Sequence, residues 1–104
     1  MSKFVLVYKG GQMGETPEAQ KAAMEAWMNW FGALGQSVVD AGSPFGPSTS
    51  IAADGSISEG GKSSLSGYSI VAADSISEAT DKAKGCPVLV SGGSVEVYEA
   101  LPIG

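Results

Sequence analysis

Eleven carboxylates, six lysines, three tyrosines and one cysteine supply all the titratable side chains of this 104-residue chain, which contains neither histidine nor arginine. The commonest general base at neutral pH, the commonest metal ligand and the bidentate anion clamp are therefore missing. Chemistry would have to come from a carboxylate or a phenol. Glu96 and Glu99 lie on an alternating segment near the C-terminal end. A carboxylate there that faced a cleft would become a general base if burial raised its pKa. Alternation along a half-buried strand puts Glu96 on the solvent side instead. Lys62, with Glu59 in a Gly/Ser-rich segment, could anchor an acidic substrate. The same composition also describes an ordinary surface loop.

Aromatic side chains are the other concentration: Tyr8, Trp27, Trp30, Phe31, Phe45 and Tyr68. Aromatic walls with a few polar tips make small-molecule clefts, but at helical spacing they also make plain core. The candidate ligand-binding set is Tyr8, Trp27, Phe31 and Tyr68, with Lys62 and Glu96 as its polar members. Without arginine, a ligand held there should be small, largely apolar and not strongly anionic. Gly10-Gly11 and Gly92-Gly93 lack phosphate-loop spacing and read as turns. Cys86, between Gly85 and Pro87, has no disulfide partner in the chain and reads as a small buried filler.

One cysteine and no histidine predict no transition metal and no cofactor. The net charge is −5 and the lysines are scattered, which argues against nucleic acid and against anionic membrane surfaces as partners. The longest apolar run near the N-terminus, Phe4 to Tyr8, is too short for a signal-peptide core or a membrane span. The expected setting is the cytoplasm.

The elements that would position these residues follow from pattern. Phe4 to Tyr8 reads as a central strand. Thr16-Pro17 starts a helix, with threonine as N-cap and proline in the first turn. Ala23, Trp27, Trp30, Phe31, Leu34 and Val38 share one face, which predicts a helix to about Ala41 with Gly42 as its stop. Gly32 and Gly35 would weaken it, permit close approach to a sheet, or mark a bend. Thr49 to Ala53 and Ser56 to Ser58, joined at Asp54-Gly55, read as a hairpin. A strand over Tyr68 to Ala72, a short helix opened by the capping box Ser75 to Glu78 and reaching about Lys84, and a strand over Ser94 to Ala100 complete the chain. One domain with two helices on one face of a sheet of about four strands predicts an α+β sandwich of ferredoxin-like type. Its uncovered face predicts a homodimer.

With these pieces in order, the chain resembles the YCII-related family, in the branch named for its DGPF motif. The resemblance spans nearly the whole length. It rests on the strand Phe4 to Tyr8, the loop with Gly46-Pro47, Gly67-Tyr68, Ala73-Asp74, Cys86-Pro87 and the run Gly93 to Val97. It implies a dimeric α+β barrel in which two subunits appose their sheets, each keeping a cleft between sheet and long helix. The Asp-Gly-Pro-Phe motif itself is absent, the corresponding loop reading Ser58-Glu59-Gly60-Gly61-Lys62. The His–Asp pair of YCII-like proteins cannot form without a histidine, so no catalytic mechanism carries over. Three functions remain open: a binder of small apolar ligands, an enzyme for lactone or ring chemistry using a carboxylate or tyrosine, and a structural or regulatory dimerisation module.

Overall fold

A computed structural model describes residues 1–11, 14–60 and 65–103. Strand β1 (Ser2–Lys9) lies inside a four-stranded antiparallel sheet between β5 (Leu65–Ala73) and β6 (Ser94–Ala100), with β2 (Val38–Pro44) on the far side of β5. Helices α1 (Pro17–Leu34) and α2 (Ile76–Ala83) accompany this sheet. The short strands β3 (Thr49–Ile51) and β4 (Ile57–Glu59) pair only with each other. The molecule is α+β, and its thinnest dimension is 18 Å, enough for one helix layer on one sheet.

Period-two burial sets the two faces of the sheet. Phe4, Leu6 and Tyr8 of β1 and Ser69, Val71 and Ala73 of β5 are buried. With Ala79, Ala83, Cys86, Val88 and Trp30 they make the core. The alternate residues Val5, Val7, Tyr68 and Ile70 are half-buried on the opposite face, where Val5 pairs with Ile70 and Val7 with Tyr68. Charged groups edge that face. Lys9 pairs with Glu96 at 2.9 Å.

Local rules account for most boundaries. Thr16 Oγ1 accepts from the Ala19 N–H at 3.1 Å, and Pro17 takes the first helical position. Ser75 Oγ accepts from the Glu78 N–H at 3.1 Å. Glu78 does not return to the Ser75 N–H as a reciprocal capping box would; it accepts from the Asp74 N–H at 3.2 Å. In the hairpin, Asp54 Oδ1 accepts from the Ser56 N–H at 2.9 Å, and Gly55 takes φ 88°.

The long helix is shorter than its apolar spacing implies. It ends at Leu34, because Gly35 turns to φ 57°. After a single 3-10 turn, the β-branched pair Val38-Val39 opens β2 rather than continuing the helix. Gly32 makes no close approach, since nothing lies within 4 Å of where its Cβ would be. Gly42 is not a helix stop. It sits in an irregularity of β2 at φ 77°, between the paired positions Asp40 and Ser43, with its N–H given to Asp40 Oδ1 at 2.8 Å. Among the described residues, no helix is long and apolar enough to cross a membrane.

Candidate functional site

The inward face of α1 is only partly covered. Ala23, Trp27, Phe31 and Leu34 are half-buried, and Trp30 alone is fully buried. Trp30 reaches the core by donating its indole N–H to the Lys82 carbonyl at 3.1 Å. One turn earlier, the helix stands off the sheet and leaves a cavity of about 440 Å³. Its roof is Met24, Trp27, Met28 and Phe31; its floor is Tyr8 on β1 with Gly67 and Ser69 on β5. The stretch Ala41 to Pro44 of β2 closes one side, and Gly10, Gly11, Val88 and Ser91 close the other.

Edge-to-face and tilted ring contacts hold the walls. The Tyr8 and Trp27 rings are 5.0 Å apart at 74°, and Trp27 lies 5.9 Å from Phe31. The Tyr8 hydroxyl donates to Ser69 Oγ at 2.7 Å, and Ser69 Oγ donates to the Ala41 carbonyl at 2.6 Å. Burial pushes the Tyr8 phenol far above its ordinary range, with the Ser69 hydrogen bond only partly opposing it. Burial also pushes the neighbouring Cys86 thiol up to about 11. Both groups are therefore protonated at neutral pH. Tyr8 is no base and Cys86 no nucleophile.

Three of the six sequence candidates, Tyr8, Trp27 and Phe31, come together with their side chains at this cavity. Tyr68 also borders it. Its position opposite Val7 turns the ring to the other sheet face, where it stacks on Phe45 at 5.9 Å and donates to Asp40 Oδ2 at 3.3 Å. Glu96 is also on that other face, opposite Val7, and away from the cavity. Hydrogen bonds from Tyr98 and then Lys9 hold its carboxyl below the usual range, the reverse of the shift a general base needs. Lys62 lies outside the described residues.

Met24, Met28, Ser69 and the Ala41–Pro44 stretch were not among the candidates. Met24 and Met28 carried a usable signal, since with Trp27 and Phe31 they occupy three- and four-residue steps on one helix stripe. Among the described residues, no lining side chain is charged, and none cluster in the threes that could hold a metal ion. The arrangement can enclose an apolar molecule and offer it hydroxyl groups. No family model, curated protein or solved structure matches this chain.

Proposed function

We propose that this protein binds a small, largely apolar molecule between α1 and the sheet, without transforming it. One observation carries the reading: a cavity of about 440 Å³ walled by aromatic and methionine side chains, with no charge on its described lining. Ligand pockets of roughly 300–1,000 Å³ are built this way, apolar with a few placed polar groups. Methionines at the roof add an adaptable surface. A carboxylate enzyme finds no support in Glu96, which is ionised and on the other face.

The same reading takes the fold as a ferredoxin-like sandwich and the chain as a YCII-related protein of the DGPF type, cytoplasmic, without the His–Asp pair. Setting aside the β3–β4 hairpin, the elements run β-α-β-β-α-β and the sheet order is β2-β5-β1-β6, which supports that assignment. A second copy would cover the half-buried Val5, Val7, Ile70 and Tyr68, giving a dimeric barrel.

Titration with small phenols and aromatic lactones, followed by tryptophan emission, tests the binding. A saturable change is expected. No response up to millimolar ligand, with Trp27→Phe altering stability alone, would leave the aromatic group as ordinary core.

A further inference from the structure

Two thioethers stand at the rim of the cavity. Among the large apolar side chains of its described lining, Met24 and Met28 alone are exposed, at 56% and 70%, while Trp27 and Phe31 beside them are half-buried. Four residues apart, they are neighbours on one side of α1. Each is thus part of the surface a ligand would meet and also open to an oxidant arriving from water. Hydrogen peroxide oxidises a thioether directly. The sulfur gives a lone pair to one peroxide oxygen, the O–O bond breaks, and the other oxygen takes up the remaining proton and leaves as water. The product, a sulfoxide, is polar and chiral where the thioether was apolar and flexible. Cys86 does not compete, being 1% exposed and kept as the protonated thiol by burial.

We propose that Met24 and Met28 form a hydroperoxide-sensitive modification site, whose conversion to sulfoxides releases the apolar ligand from the cavity. The proposal rests on the cavity being the binding site. The described lining carries no charge, and a sulfoxide oxygen turned inward sets a polar atom against the apolar ligand. Turned outward to water, it draws the side chain off the roof and leaves that flank of the ligand wet. Both positions of the oxygen weaken binding. Neither disturbs the core, to which Met24 and Met28 do not belong.

The test is calorimetric titration of the whole protein with coumarin, an aromatic lactone, before and after treatment with hydrogen peroxide and its removal. Peptide mass mapping should place one oxygen on each of the two methionines. Coumarin affinity should then fall about tenfold, roughly what the partial burial of two methionine side chains contributes. Methionine sulfoxide reductases, one for each epimer, should restore it. The Met24→Leu/Met28→Leu double variant keeps Met1 and Met13 and so controls for oxidation elsewhere. Its coumarin affinity, compared with its own untreated value, should not change with peroxide. Unaltered affinity in oxidised wild type would overturn the modification site while leaving the cavity reading intact. So would peroxide that spares both methionines, an equal loss in the double variant, or a loss that the reductases do not reverse. If untreated wild type does not bind coumarin, the cavity reading and the modification site are both overturned.

Discussion

Trp30 donates its indole N–H to the Lys82 carbonyl at 3.1 Å, tying the last turns of the two helices together. Its neighbour Trp27, 5.8 Å away between ring centres, faces the cavity. One tryptophan is thus a strut and the other a wall, and they are the only two in the chain.

This division predicts separable variants. Trp30→Phe should lower stability by about 2 kcal/mol, from a lost buried hydrogen bond and lost volume, while its remaining tryptophan still reports ligand. Trp27→Phe should lose most of the ligand-dependent emission change. Urea unfolding and emission titration on both variants check this. The reverse pattern, with the signal surviving in Trp27→Phe alone, would place the ligand elsewhere.

Two glycines of the same sequence type should respond in opposite directions. At Gly42, φ is 77° and an added Cβ would lie 1.7 Å from the Tyr68 carbonyl oxygen. Gly42→Ala should therefore prevent β2 from docking and cost several kcal/mol, on the order of the largest single-residue effects. Gly32 sits exposed in α1 with open space around it. Gly32→Ala should stabilise by roughly 0.5–1 kcal/mol. Thermal melts of the pair give the comparison.

Alkaline pH should unfold the protein by way of its buried acids. The Cys86 thiol is raised from its ordinary 9.0 to about 11, and the Tyr8 phenol from 10.0 further upward, both chiefly by burial. For a group whose folded pKa lies above its unfolded one, the stabilisation is complete below the unfolded value and disappears as pH rises through the folded value. The denaturation midpoint should hold below pH 9 and fall from there through about 11. Cys86→Ala should delay the fall until the phenol begins to titrate. A thiol that reacts with maleimide in folded protein at neutral pH would contradict its burial.

Sedimentation should show a homodimer at micromolar concentration. Val5 and Ile70 face each other across neighbouring strands on the open side of the sheet, where a negative charge would be desolvated against a second copy. Ile70→Glu should give a folded monomer with unchanged circular dichroism. A wild-type monomer would remove the barrel from the proposed architecture.

Most of the fold was legible because its signals are local. The Thr16 cap, the Asp54-Gly55 turn, the β-branched and aromatic run of β1 and the alternation in β6 each act within a few residues. The end of α1 was not, since Val38 falls on the same stripe as Leu34 and only the positive φ of Gly35 breaks the pattern. Losing that boundary also hid β2 and, with it, one side of the cavity. The aromatic roof and floor were visible as Tyr8, Trp27 and Phe31. Tyr68 borders the cavity, but the phase of β5 turns its ring to the other face, and Glu96 lies away from it on the side where strand alternation put it. Ser69 becomes notable only when that phase is known, as the polar residue at an inward position.

The placement of β1 between two strands from the far half of the chain has a kinetic consequence. Phe4 finds Val71 on one side and Glu99 on the other, so during synthesis the first strand must wait for nearly all that follows. Until then its apolar run Phe4-Val5-Leu6-Val7 has two unpaired edges. Closure through such distant pairings is slow, and an apolar strand left unpaired meanwhile is the segment most prone to aggregate during folding.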